Sequence, residues 1–330
     1  MFDQNDPTVQ FALDAVRQAA IVVRKIQHEL ITPALTKADR SPVTVADFAA
    51  QAVVGRLLSQ TFPDDCLVAE EDSSALGEPQ NEPILRRVAH FVQLQDSQTT
   101  AKSVRGWIDF NRADSADRFW TLDPIDGTKG FLRHEQYAVA LALVMDGQVQ
   151  VGVMGCPNLA KSSQPQIGGP GSLVVGVRGQ GAWSTALVNG GDFEQLKVSR
   201  LTDPAQARLL RSVESGHTNV DQIGKVAAAL GIAVPTVSMD SQAKYAVLAA
   251  GHGEVYLRLL SPDWPDYREK IWDQAAGSLI IEEAGGQITD LDGKALDFTT
   301  GRSLVHNRGI LATNRALHPL ALRALRQIGA

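Results

Sequence analysis

Cysteine is scarce. Cys66 and Cys156 are the two cysteines in 330 residues, too few for a disulfide framework. Neither sits in the Cys-x-x-Cys or Cys/His spacing of a zinc site. Both read as small buried hydrophobes of a reducing compartment. Positive charge is also in deficit: 31 Lys and Arg face 37 Asp and Glu, a formal net charge of −6. Proteins that bind nucleic-acid polymers carry a basic stripe, so this balance argues against such a partner. A small anion needs only a few placed cations and stays open. No apolar run approaches the ~20 residues of a membrane span. Met1-Phe2-Asp3-Gln4-Asn5-Asp6 lacks the basic-then-apolar layout of a signal peptide. The expectation is a cytoplasmic protein with no membrane partner. Internal repeats and low-complexity tracts are missing too, as is the Asp-x-Asp-x-Asp-Gly loop of a calcium module.

What is present suits two globular domains. Apolar residues make up 44% and charged residues 21%, an ordinary balance at a length beyond one small core. Val9, Leu13, Val16, Ala20 and Val23 recur at spacings of three and four, which predicts a helix over 9–29. A second helix is predicted over 47–60, with Thr44 as a candidate cap, and a third over 84–94. From Phe119 the pattern turns to strands: 119–122, 138–145, 148–154, 173–177 and 181–183, with Asp146-Gly147 as a hairpin turn. The Gly/Pro/Ser-rich stretch 161–171 reads as a loop. An antiparallel sheet with two early helices on one face is expected for a first domain, 1–197. Beyond it, strands (208–213, 234–239, 255–260) alternate with helices (220–230, 244–250, 273–284). That predicts an α/β second domain over 198–330.

The sharpest chemical signal is Asp123-Pro124-Ile125-Asp126-Gly127-Thr128. Two carboxylates three apart at a strand end can converge on one hard cation, with the Ile125 carbonyl between them as a further oxygen. Gly127-Thr128 can open a helix whose free N–H groups face a phosphate. Three weaker signals accompany it: Trp272-Asp273-Gln274-Ala275-Ala276-Gly277, Glu70-Glu71-Asp72 and Pro42-Val43-Thr44-Val45-Ala46-Asp47. Each alone has a plain reading as a turn, an N-cap or a solvated loop. Together they place four acidic groups at element ends far apart in the chain, as a metal site assembled by a fold requires. With no His or Cys beside them, the site is oxygen-only, which points to Mg²⁺ and phosphate chemistry. A haloacid-dehalogenase nucleophile would need Asp-x-Asp, and the spacing here is Asp-x-x-Asp.

These residues carry a resemblance. Asp123 to Thr128, with Phe131 three further on, resembles the DPxDGTxxF motif of the inositol monophosphatase superfamily. Trp272 to Ala276 is similar to its WDxAA motif, and Ala69-Glu70-Glu71 to its glutamate motif. The run through Lys129-Gly130-Phe131, with Asp240-Ser241-Gln242-Ala243-Lys244-Tyr245 and Val255-Tyr256-Leu257-Arg258, narrows the likeness to the 3′(2′),5′-bisphosphate nucleotidase branch. The resemblance spans nearly the whole chain. It implies a layered αβαβα sandwich of α+β and α/β domains. It also implies two or three Mg²⁺ ions held by Glu70, Asp123, Asp126, Asp273 and the Ile125 carbonyl. Thr128 and Asp47 would be the catalytic pair that activates water. Gly127, Thr128, His217, Ser241, Lys244 and Arg258 would bind an adenosine bisphosphate, and Li⁺ would inhibit. The alternatives are an inositol phosphate substrate on the same fold, or a non-catalytic nucleotide or metal sensor. Oligomeric state has no signature in the sequence.

Overall fold

The computed structural model describes residues 2–29, 35–36, 42–43, 45–160, 170–213 and 219–330. The expected loop at 161–171 falls mostly outside them, as do Thr44 and His217.

Helix α1 (Pro7–Glu29) buries Val9, Ala12, Val16, Ala20 and Val23 along one stripe. A short antiparallel pair, β1 (Leu35–Thr36) and β2 (Pro42–Val43), leads to α2 (Val45–Thr61). The next elements are β3 (Cys66–Ala69), α3 (Glu82–Gln93), α4 (Ala101–Ile108), β4 (Arg118–Asp126) and α5 (Thr128–Leu132). Then β5 (Ala138–Met145), β6 (Gln148–Cys156), β7 (Ser172–Val177), β8 (Gly181–Ala186) and β9 (Glu194–Leu196) complete a seven-stranded sheet in the order β3-β4-β5-β6-β7-β8-β9. This sheet is antiparallel apart from β3, which pairs in parallel with β4. The crossover through α3 and α4 is long enough to return the chain in the same direction, which a tight hairpin cannot do.

The chain then builds β10 (Leu209–Arg211), α6 (Val220–Leu230), β11 (Val237–Ser238), α7 (Ala243–Ala249), β12 (Val255–Arg258), α8 (Ala275–Glu283), β13 (Gln287–Thr289), β14 (Ile310–Thr313) and α9 (His318–Ile328). Its sheet runs β11-β10-β12-β14-β13, parallel on the β10 side and antiparallel at β14. The strand expected over 234–239 shrinks to two residues, and α8 opens two residues later than expected.

Alternation along the strands assembles five layers. Trp120, Leu122, Val139 and Leu141 face α1 and α2 in one core. Phe119, Ala138, Ala140 and Ala142 point the other way, into a second core with Tyr245, Ala276, Ile280, Tyr256 and Ala312. Helices α7 and α8 are thus sandwiched between the two sheets. Val255, Leu257 and Leu311 form a third core with α6 and α9. The result is the α/β layering αβαβα. Contact across the middle layer is tight: a Cβ on Gly152 would stand 2.8 Å from the Ala276 carbonyl oxygen. Asp273, just before α8, stands within electrostatic range of Asp123 and Asp126 at the end of β4. No helix among the described residues is long and apolar enough to cross a membrane.

Candidate active site

Strand β4 does not stop before the acidic motif but runs through it. The pairing with β5 slips between Asp123 and Asp126, where Pro124 has no N–H to give the ladder. Gly127 then takes φ 87°, a left-handed turn that favours glycine, and α5 opens at Thr128. A Cβ on Gly127 would come within 2.8 Å of the Ser241 Cβ, so this turn rests directly on the start of the α7 region. The Gln242 backbone N–H donates to Asp126 Oδ2, and the Gln242 side chain donates 3.0 Å to the Trp272 carbonyl. One buried residue thus ties the segments bearing Asp126 and Asp273.

Four predicted acids and Asp47 meet here. Asp123 is 2% exposed, and its Oδ1 has no hydrogen-bond partner among the described residues. Burial pushes its carboxyl well above the usual range, and Glu70, Asp126, Asp273 and Asp47 push it further. Asp273 is raised well above by burial; Arg258 opposes this, while Asp126, Glu269 and Glu70 add to it. Asp126 is raised by burial despite the pull of Lys244, Arg258 and the Gln242 N–H. Asp47 lies buried in the first turn of α2. Glu70 follows β3 and donates its N–H 3.2 Å to the Leu122 carbonyl of β4. The Thr128 hydroxyl donates 3.2 Å to the Ile125 carbonyl.

The donor set fits a hard divalent cation: oxygens only, crowded, and short of positive charge. The carboxylates stand within electrostatic range without being drawn to one point. Among the described residues no trio of His, Cys, Asp or Glu forms a closed cage.

The cationic side lies on the second sheet and its helices. Ser241 adopts φ 68° just ahead of α7, its Oγ accepting 3.1 Å from the Ala243 N–H. Lys244 is buried. Its Nζ donates 3.1 Å to the Met239 carbonyl and lies 5.2 Å from the Tyr256 ring centre. Burial pulls its pKa down to about 8, against the pull of Asp126 and Asp240. Arg258 Nε lies 2.9 Å from Glu269 Oε1, and Nη2 lies 3.8 Å from Asp273 Oδ2. Burial works against the Arg258 charge, but Glu269, Tyr267 and Asp273 more than restore it. Lys244 and Arg258 therefore both act on Asp126.

Asp273 is not an N-cap, since Gln274 occupies that position in α8. Sequence reasoning missed several neighbours. Glu269 and Tyr267 lie against Arg258. Arg302 stacks 4.6 Å from the Trp272 ring and donates 2.8 Å to the carbonyl of Ala69, the residue before Glu70. None of the three carries a local signal, since each gains its role from a partner on another element. A shallow cavity of about 570 Å³ at the other end of α8, lined by Lys197, Ser199, Glu283 and Arg315, includes none of these residues.

Fold and site together define a phosphatase architecture. Residues 4–330 match the model of the inositol monophosphatase family, and the chain belongs to that family. It is 40% identical to the 3′(2′),5′-bisphosphate nucleotidase of Emericella nidulans, over 95% of this chain and 96% of that protein. A protein of the same name from Oryza sativa is also 40% identical, over 95% and 92%. A Thermotoga maritima IMPase structure superposes with a TM-score of 0.65 over 98% of both chains; at 19% identity that likeness speaks for the fold alone. The chain is accordingly an enzyme of the phosphatase class.

Proposed function

We propose that this phosphatase uses Mg²⁺ to remove the 3′-phosphate of adenosine 3′,5′-bisphosphate, giving AMP and phosphate. The observation that carries the reading is the buried, undercompensated acid cluster around Asp123, with Lys244 and Arg258 beside Asp126. The relatives' names support the choice of substrate.

Glu70, Asp123, Asp126, Asp273 and the Ile125 carbonyl would hold two or three ions. When bound, these supply a water of lowered pKa and positive charge against the leaving oxygen. Thr128 and Asp47 form the pair that takes the proton from the attacking water. For this the Thr128 hydroxyl leaves the Ile125 carbonyl it now bonds. Water attacks phosphorus in line, the P–O3′ bond breaks, and the 3′-oxygen leaves, taking a proton from solvent water. Gly127 and Thr128 offer backbone N–H groups to the reacting phosphate. Ser241, Lys244 and Arg258 hold the 5′-phosphate by charge-assisted contacts. His217 contacts the nucleoside in this scheme. The 5′-phosphosulfate analogue presents the same 3′-phosphate and is a second substrate.

Phosphate release from adenosine 3′,5′-bisphosphate, its 5′-phosphosulfate analogue, adenosine 3′-phosphate and inositol phosphates, with and without Mg²⁺, tests the reading. The bisphosphate should lead adenosine 3′-phosphate by at least ~10-fold in kcat/KM, the value of one charge-assisted contact. Faster release from an inositol phosphate would assign the site to that substrate instead.

A further inference from the structure

Glu269 is a buried acid that the proposed chemistry leaves without a task. It is 3% exposed and lies between β12 and α8, four residues ahead of Asp273. Its backbone is pinned: the carbonyl accepts 2.9 Å from the Leu304 N–H. Its side chain is pinned too. One carboxylate oxygen accepts 3.0 Å from Gln274 Nε2, and Gln274 Oε1 accepts in turn from the buried Tyr245 hydroxyl. The other oxygen lies 2.9 Å from Arg258 Nε, an ion pair at hydrogen-bond distance. A carboxylate fixed from these sides cannot follow Arg258; the guanidinium follows it.

Arg258 has a competing partner in Asp273, 3.8 Å from Nη2. A guanidinium is a rigid planar fork. Drawn fully onto Asp273, it would spend its terminal nitrogens on an acid of the cluster and have none for a ligand. We infer that Glu269 is a positioning residue, which anchors Arg258 through Nε, holds it off Asp273 and keeps its terminal nitrogens for the substrate's non-reacting phosphate. The inference rests on the reading of Arg258 as a 5′-phosphate contact. Partners one step removed set the orientation of the groups that touch a ligand, and losing them is costly.

Glu269→Gln keeps the shape and removes the charge. AMP carries the 5′-phosphate and no reacting group, so its affinity, measured by calorimetry, reads positioning apart from turnover. The AMP Kd and the bisphosphate KM should rise about 10-fold to 100-fold, the scale for such supporting groups. At Mg²⁺ high enough to keep Asp273 with the ions, bisphosphate kcat should hold, as expected when uniform binding is lost, and adenosine 3′-phosphate should lose far less than the bisphosphate. An unaltered AMP Kd, or an equal loss on both substrates, overturns the inference. If the Gln variant does not fold, Glu269→Asp carries the test: its shorter arm keeps the charge and should give a smaller rise of the same KM-only kind, and a fall in kcat instead overturns the inference. If the wild type itself prefers neither substrate and binds no AMP, the 5′-phosphate reading falls and this inference falls with it. If the wild type shows the preference and Glu269→Gln retains it, this inference alone fails.

Discussion

Asp123 and Asp290 are both buried acids, and they differ in everything that follows burial. Asp290 is 0% exposed. One of its oxygens accepts from the N–H groups of Asp292 and Lys294 at 3.0 and 2.8 Å; the other accepts from Asn307 Nδ2 and the Arg308 N–H at 3.2 and 3.4 Å. Its desolvation is offset within the fold. Asp123 is as deeply buried, yet one oxygen has no hydrogen-bond partner among the described residues and its neighbours include four more acids. Glu254 is a further buried acid with partners: burial pushes its pKa up, but hydrogen bonds from Arg208 bring it below the usual value. Burial of an acid therefore does not mark a site. A buried acid that the chain leaves unsatisfied does, because its energetic cost is recovered only when something binds.

The strongest way to break this contrast is to neutralise one acid of each kind. Asp126→Asn should lower phosphate release by roughly 10³-fold or more, because several kcal/mol of charge stabilisation are at stake. In chelator its thermal midpoint should stay level or rise, since like-charge repulsion is relieved. Activity near wild type at saturating Mg²⁺ would sink the metal assignment. Asp290→Asn should do the reverse. The new amide turns a donor toward N–H donors, at a cost of about 2–3 kcal/mol of stability, while kcat per folded molecule stays unchanged. A denaturant titration beside a turnover assay reads both, and an exchange of the two outcomes would refute the distinction.

A pH series sharpens it further. Asp123, Asp126 and Asp273 have folded pKa values raised above their unfolded ones, chiefly by burial. The folded state therefore holds more protons. The stability these groups confer is fully present below their unfolded values near 4, and it is lost as pH rises through the raised values. In chelator, the thermal midpoint should fall as pH climbs above about 4. Mg²⁺ should flatten that slope, and Asp126→Asn should reduce it. A midpoint that climbs steadily over the same range without divalent cations would show that the cluster is not frustrated.

Much of this was legible in the sequence, for reasons that differ by element. Helix α1 declares itself through its 3.6 period and the β5–β6 hairpin through two apolar runs flanking an Asp-Gly turn, which are local signals. The acids of the cluster were legible through their residue types and their places at element ends. Other features depend on long-range pairing. That β3 runs parallel to β4 is decided by the crossover between them, and the two-residue β11 by where the sheet ends. The C-terminal β13, β14 and α9 had no expectation at all. Glu269, Tyr267 and Arg302 acquire meaning only when Arg258 and Trp272 arrive beside them from other elements. No spacing encodes that.

The smallest expected effect concerns the cations, where the same contrast recurs. Arg208 is matched by the Glu254 carboxylate, which raises its pKa. Lys244 is buried with a carbonyl as its hydrogen-bond acceptor, and burial brings its pKa down to about 8. Its charge is therefore conditional in the range where a phosphatase is assayed. Only the protonated form attracts a dianionic 5′-phosphate, so affinity should drop as pH passes upward through that value. The profile of kcat/KM reports the free enzyme. For adenosine 3′,5′-bisphosphate it should bend downward near pH 8 and lose up to ~10-fold by one unit above. Adenosine 3′-phosphate lacks the 5′-phosphate and should show no such bend. Lys244→Met should start lower on the bisphosphate and remain flat. A bend of equal depth with both substrates would place the titrating group in the acid cluster rather than at Lys244.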